Sequence, residues 1–443
     1  MPIASSNTTS IDVSIEVRNS PGWLCDVTDL KNQTDMPKFR MLPRTSRIVA
    51  LCSAANFINA ADRVIMPIAI VPMTDEFKWD LYWQGWILSA FAFGYFTSQI
   101  IGANTASRFG CKMVLMLAVL LWSISTVITP ILAQSVLLLI ICRVILGLGE
   151  GLGLPVIFHL FAHSVPVEER SRAFGYLVAA GSVGQVVASV VSLCPHLSWQ
   201  TGFYLFGTIG IVWTLLWLIL YQETNSQDEI PLFVPKGTQN RSLRWTEFIS
   251  HWPLWALYIA HFAMNWSNYI IMQWLPTYLA RNLSANKESI SLTAFPYIVN
   301  SLVGIVAGHS ADNLIQKRWP ILSVRRLMTN IGLIGPGAFL LAFCAVDNLL
   351  AAVIFVSISM GLCACNSAGH LSNHADIAPN HAGITFAVSN TIATIPGILC
   401  GPLTAELVTA SHGRWLPVFV LAAAINFTGA IIYQSHSSAL PVL

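Results

Sequence analysis

Charged side chains are scarce in this sequence: Asp, Glu, Lys and Arg together make up 10% of its 443 residues, where a soluble globular chain carries about 25%. With 55% hydrophobic residues and a mean hydropathy of +0.63, that scarcity excludes a soluble enzyme and a nucleic-acid binder. Excess charge of one sign is missing too. The 23 Lys and Arg against 21 Asp and Glu leave a net charge of +2, too little to steer a polyanion across the whole surface. The first 45 residues contain no apolar run of the kind a cleavable signal peptide needs, so the first hydrophobic helix is expected to direct membrane insertion. Paired-cysteine spacing is absent as well. Cys363 and Cys365 stand one residue apart rather than as CxxC, and most of the nine cysteines fall in hydrophobic runs, where a thiol behaves as a small apolar group. No hydrophobic segment offers a nucleophile with a matched base, a metal-ligand cluster or a phosphate-cradling glycine loop. Catalysis, a bound metal and a cofactor are therefore not expected.

What the chain does have is hydrophobic length. At roughly 20 apolar residues per crossing, twelve crossings use about 240 residues. Reading windows with Gly, Pro and charge as punctuation predicts spans near 48–73, 84–104, 112–133, 136–163, 173–194 and 201–221, and a second set near 253–280, 289–311, 326–345, 349–371, 382–408 and 415–434. The polar run from Glu223 to Glu229 separates the sets. The resulting plan is a tail (1–46), a six-helix half (47–221), a middle loop (222–252), a second six-helix half (253–434) and a short tail (435–443).

Basic residues set the orientation. With the N-terminus inside, 17 Lys and Arg fall on the inner side and four outside, or 11 against four without the long tail. Both termini are thus expected in the cytoplasm, which leaves the sequons at Asn7 and Asn32 on the wrong side for glycosylation and Asn282 on the outer side. The halves also read as distant repeats. Gly102–Arg108 follows span 2 as Gly308–Asp312 follows span 8, and Ser107 and Asp312 share the offset of spans 1 and 7. Such a repeat places a binding site between the halves near the midplane, with rocking giving alternating access.

Ionisable groups inside spans read as functional. Arg63 lies in span 1; Arg143 and Glu150 lie seven residues apart in span 4, on one face two turns from each other. Gly147 lies between them and leaves room for something to approach. One reading makes struts of Arg63 with Asp62 and of Arg143 with Glu150. However, adjacent residues on a helix do not face each other, and two turns is a long reach. The favoured reading is an anion site, because guanidinium grips carboxylate or phosphate bidentately. Burial and a nearby guanidinium act oppositely on the Glu150 carboxyl, which suits it to proton coupling. His261, Asn265, Trp266, Asn268 and Gln273 make span 7 unusually polar and are expected to line a cavity, with Pro276 kinking or breaking the helix. His159 and His163 in span 4 read as packed or solvated, and Glu406 is a weaker acid candidate.

Several strings match a known family across residues 47 to 434: Asp62–Val71, Phe91–Gln99 with Gly94 and Tyr95, Arg143–Gly151 followed by Pro155, Glu168–Arg172, and above all Ser372-Asn373-His374-Ala375-Asp376-Ile377-Ala378-Pro379 running on to Gly383 and Ser389–Thr391. The chain resembles the anion:cation symporter family of the major facilitator superfamily, which includes vesicular glutamate transporters, the lysosomal sialic acid exporter and plant organellar phosphate transporters. The resemblance implies an all-α membrane protein of twelve helices. It also implies an anion bound by Arg63 and Arg143 with Tyr95, Asn265 and Met264 beside them, proton coupling through Glu150, and conformational gating by Asp312, Arg325, Asn373 and Asp376. Its departures from the pattern matter as much. Ser107 stands where the family has an acid, and Leu88 and Met264 stand where glutamate carriers place a histidine and an arginine. The Asp62–Arg63 pair and Trp274–Tyr278 resemble the plant phosphate branch. The expected partners are a small anion, inorganic phosphate first and an organic carboxylate second, a coupling cation and the lipid bilayer, with no nucleic acid, and transport is expected to be driven by H+, Na+ or the membrane potential. The competing class is a non-transporting sensor or scaffold of the same fold.

Overall fold

The computed structural model describes residues 44–165, 167–192, 194, 197–221, 245–285, 291–378 and 382–442, with backbone alone for 44, 100–108, 162–163, 167–172, 174, 245 and 291. The sequons at Asn7 and Asn32, most of both the first tail and the middle loop, Lys287 and Pro379 lie outside the described residues. So do the side chains of Ser107, His163 and Glu168–Arg172.

The first half is six unbroken helices: α1 (Arg44–Phe77), α2 (Leu81–Phe109), α3 (Cys111–Leu132), α4 (Val136–Ser164), α5 (Val167–Ser192) and α6 (Trp199–Leu220). The second half contains α7 (Trp252–Asn282), α8 (Phe295–Gln316), α9 (Ile321–Cys344), a rod made of α10 (Leu349–Cys363) and α11 (His370–Ile377), a rod made of α12 (Ala382–Ile392) and α13 (Ile395–Ala410), and α14 (Leu416–His436). Twelve membrane-length rods thus stand among the described residues, at the positions the hydrophobic windows predict. Ten are long and apolar enough to cross a bilayer by composition. The other two, α2 and α7, carry rings and amides such as Gln84, Gln99, His261 and Gln273 in place of aliphatic residues.

One expectation about helix continuity is corrected. Pro276 does not break span 7, since α7 runs through it to Asn282. The breaks fall elsewhere, at the 3-10 turn Ala364–Ser367 before α11 and at Ala393–Thr394 before α13. A proline inside a helix removes only its own N–H bond, and neighbouring helices can re-satisfy the freed carbonyl.

The room expected beside Gly147 is taken by α2. A Cβ on Gly147 would collide with the Phe91 carbonyl oxygen, and one on Gly94 with the Val144 carbonyl oxygen. The missing side chains therefore admit the backbone of α2 against α4, which is how small residues drive helix association in lipid. The same device joins the two halves, where Gly85 of α2 and Gly401 of α13 approach backbone to backbone and the Gly401 N–H donates to Ser89 Oγ at 3.2 Å.

Successive rods alternate in direction, so the late parts of α1 and α7 point away from the chain termini. There the halves share one apolar cluster running from Ile65, Ile68 and Met73 to Ile270, Trp274 and Tyr278. Deeper, Gln273 donates to the Gly397 carbonyl at 3.1 Å, and Gln99 accepts from Asn390 at 3.0 Å while donating to Thr394 at 3.2 Å.

Adding a methyl group should separate the two kinds of glycine. Gly147→Ala forces α2 from α4 and is expected to cost about 1–3 kcal/mol, lowering the melting temperature of the purified protein. Gly175→Ala, with nothing within 4 Å of its added Cβ, should be neutral or stabilise α5 by about 0.5–1 kcal/mol. Equal shifts in thermal melts would mean that α2 and α4 are not held by this contact.

Candidate functional site

The close approach of α2 to α4 places the Phe91 and Tyr95 rings beside the charges on α1 and α4. The Arg63 guanidinium carbon lies 4.5 Å from the Tyr95 ring centre and 5.1 Å from that of Phe91. The Arg143 guanidinium carbon lies 5.9 Å from Phe91. One buried phenyl ring is thus shared by two arginines from different helices, and its negative face offsets part of the cost of holding two cations in an apolar wall.

Arg63 is paired across the bundle, neither with its neighbour Asp62 nor left free. Its Nε donates to Glu150 Oε2 at 2.8 Å, and the Glu150 side chain has no exposed surface. The strut pairing of Arg63 with Asp62 and Arg143 with Glu150 is thereby replaced by an α1–α4 bond spanning 87 residues of sequence. Arg143 is 3% exposed, and its Nε and Nη1 have no hydrogen-bond partner among the described residues; the same holds for Arg63 Nη2 and Glu150 Oε1.

Asp62 is the member that the sequence reading undervalued. It is 1% exposed, neither carboxylate oxygen has a hydrogen-bond partner among the described residues, and it lies within the fields of Glu150 and Arg143. Sitting beside Arg63 in sequence turns it to a different face of α1, toward the α4 charges. Its signal was the rule that an intramembrane acid is functional by default. Asp62, Arg63, Arg143 and Glu150 together balance two negative and two positive groups.

The second half adds neutral groups. Tyr269 on α7 lies within the fields of Arg63, Tyr95 and Glu150, and its ring stands against Gly397. Asn265 donates to the Ala393 carbonyl at 2.9 Å, at the break between α12 and α13. Met264 packs against the apolar cluster of Ala256, Ala260, Leu333 and Tyr433, and Leu88 lies in the cluster that joins the halves. Of the expected site residues, the structure gathers Arg63, Arg143, Glu150 and Tyr95 at one place and sets Asn265 and Met264 on α7.

The expected gating residues separate into two groups. Arg325 Nε donates to Asp376 Oδ2 at 2.8 Å and its Nη1 to the Ala368 carbonyl at 2.9 Å, while Asn373 donates to Tyr433 Oη at 2.9 Å and to the Ser438 carbonyl at 3.1 Å. These bonds tie α9, α11 and α14 together at the end of the bundle where α14 finishes. Asp312, by contrast, is exposed at the end of α8. Glu406 is also exposed.

Residues 52–400 match the model of the Major Facilitator Superfamily. The chain is 33% identical over 427 residues to a protein of Arabidopsis thaliana named sodium-dependent phosphate transport protein 1, chloroplastic, covering 93% of this chain and 83% of that one. It is 38% identical to human sialin over 81% of this chain and 76% of the relative. Identity with the chloroplastic ascorbate transporter of Arabidopsis thaliana is 33%, over 93% and 78%. Among solved structures, a bacterial homologue of the human lysosomal transporter Spinster, inward-facing and occupied, superposes with a TM-score of 0.72 at 16% identity, covering 89% of this chain and 97% of that one. The D-xylose-proton symporter superposes at 0.70 with 14% identity, covering 89% and 98%. These two likenesses concern the fold.

The α1–α4 bond can be tested by its stability signature. Removing one partner of a buried pair costs about 3–5 kcal/mol, because the other charge is stranded. Arg63→Met and Glu150→Met should each lower the melting temperature markedly, while the double substitution recovers at least half of the loss. Additive losses in thermal melts would show that the two side chains do not depend on each other.

Proposed function

The chain belongs to the anion:cation symporter family of the major facilitator superfamily, whose members are transporters and not enzymes, and on that premise we propose that this multi-pass membrane protein is a secondary active carrier of a small anion, inorganic phosphate first, working by alternating access with both termini cytoplasmic. The observation that carries the reading is the pair of arginines sharing the Phe91 ring, with unpartnered guanidinium nitrogens buried between helices. A planar cation with free N–H groups in a poorly hydrated cavity is suited to bind an oxyanion. The name of the Arabidopsis phosphate transport protein supports phosphate and a coupling cation.

Charge balance supports coupling to protons. With both acids ionised, the four-residue cluster is neutral; one proton on Glu150 or Asp62 gives it a single positive charge, which matches a monoanion. Anion binding and protonation then favour each other reciprocally. Glu150 is the coupling acid in this reading because it already holds Arg63: neutralising it frees the Arg63 Nε to grip the anion. Arg325, Asp376 and Asn373, with Asp312, act as the gate at the terminal face.

A small organic acid is the second reading, supported by the ascorbate transporter. Dicarboxylates are disfavoured because Leu88 and Met264, packed in apolar clusters, offer no second set of donors.

Uptake of radiolabelled phosphate into liposomes containing the purified protein tests the reading. Arg63→Ala and Arg143→Ala should each lower uptake at least 100-fold, corresponding to about 3 kcal/mol of lost charge-assisted bonding, in protein that still inserts. Glu150→Gln should abolish pH-gradient-driven accumulation while keeping phosphate exchange. Normal uptake by both arginine variants would leave the cluster a structural strut, and inhibition of the wild type by glutamate as strong as that by phosphate would refute the charge-count argument.

A further inference from the structure

Two contacts join the halves along α2, one on either side of the rings that wall Arg63. Early in α2, Gly85 meets Gly401 of α13 backbone to backbone, and a Cβ on either would collide with the other's carbonyl oxygen. One turn past Tyr95, toward the end of α2 at Phe109, the contact is of another kind. The Gln99 amide, 6% exposed, spends both its ends on the break between α12 and α13. Its Oε1 accepts from Asn390 Nδ2 at 3.0 Å, and its Nε2 donates to Thr394 Oγ1 at 3.2 Å. Thr394 Oγ1 donates in turn to the Asn390 carbonyl at 2.8 Å, so the amide closes a ring of bonds around the break. From its own half, α7 holds the same place through Asn265 and the Ala393 carbonyl.

The two contacts differ in what parting them costs. A close backbone approach between glycines is held by van der Waals packing, which is lost outright when the helices separate. An amide exchanges its bonds to side chains for bonds to water at small net cost, but left dry and unpaired it is expensive. Glycine packing therefore suits a contact that stays, and the amide suits one that parts, admits water and re-forms in a single register. The bonds of Arg325 and Asn373 join helices of the second half to one another. Those of Gln99 cross between the halves.

We propose that Gln99 is a positioning residue of the transport cycle: its bonds to Asn390 and Thr394 latch α2 to the α12–α13 break and hold the carrier shut on the Phe109 side of the arginine cluster, while the Gly85–Gly401 approach serves as the pivot when the latch opens. Rocking of two halves parts them at one end at a time, and the residues that absorb such a change sit at the ends of elements. Ala393 and Thr394 stand between two helices and have that place. Gln99 and Tyr95 lie one turn apart on α2, and the Tyr95 ring centre is 4.5 Å from the Arg63 guanidinium carbon. Release of the latch thus moves the helix that carries the wall of the charge cluster. The inference rests on alternating access in the reading above, and holds whichever anion is carried.

Hydrogen–deuterium exchange of the full chain in lipid nanodiscs reads both ends of the bundle at once and needs no substrate. Gln99→Leu keeps a side chain of similar size and removes both bonds, whereas Thr394→Val keeps the shape of the break and removes one acceptor. In both variants, backbone exchange over residues 389–397 should speed up about fivefold, the ratio that one lost hydrogen bond gives. Peptides covering 66–73 and 270–278, at the other end, should exchange as in wild type or more slowly. Faster exchange at both ends in both variants would mean a loosened fold, and unchanged exchange over 389–397 in both would mean that the amide does not hold the halves; either result overturns the proposal. Absence of phosphate uptake by the wild type counts against the transport reading instead, and the exchange comparison then decides the latch on its own.

Discussion

A charged group in a helix bundle surrounded by lipid must find its counter-charge within the protein, and the bond from Arg63 to Glu150 is where that constraint shapes this molecule. It fixes α1 against α4 although the two are separated in sequence by two whole helices. The Phe91 and Tyr95 rings that wall Arg63 are carried by α2, which brings them there by its close approach to α4. The sterics of Gly94 and Gly147 therefore precede the electrostatics: the absent side chains bring in the rings, and the rings and Glu150 make a buried guanidinium tolerable.

The two halves share a helical plan but divide the chemistry. Asp62, Arg63, Arg143 and Glu150 all belong to the first half, whose rods are unbroken. The second half contributes amides, hydroxyls and imidazoles on α7, α11 and α12, and it is there that two rods break. A broken helix frees backbone groups for bonds such as that from Asn265 to Ala393, and it supplies joints that can bend. The breaks thus fall in the half that does not carry the Asp62, Arg63, Arg143 and Glu150 cluster.

Much of this was legible in the sequence. Twelve hydrophobic windows gave the twelve rods because backbone bonding in lipid leaves a spanning segment little choice but helix. Arg63, Arg143 and Glu150 stood out because ionisable residues are so few. What was not legible depended on the third dimension. The choice of Glu150 over Asp62 as the partner of Arg63 requires knowing that α1 crosses α4, and periodicity within one helix carries no such information. That it is α2 which takes the space beside Gly147 leaves no trace in the span 4 sequence. Pro276 was read as a kink or break from local propensity, and tertiary packing kept the helix running through it, whereas the actual break before α13 begins after Ile392, four residues ahead of Pro396, a signal inside span 11 that the hydrophobic window hid.

Charge counting connects the parts. A site with two bases and no acids would hold any anion tightly and release it slowly; a site with two of each holds none without some change of charge. In this chain the acids are not at the rim, where water would screen them, but as buried as the arginines, Glu150 at 0% and Asp62 at 1% exposure. On the transport reading proposed above, an anion at this cluster displaces a carboxylate from its guanidinium or is accompanied by a cation that neutralises one. On the proposed reading, displacing or neutralising Glu150 breaks the bond between α1 and α4, and a bond between helices is what a conformational change can act on.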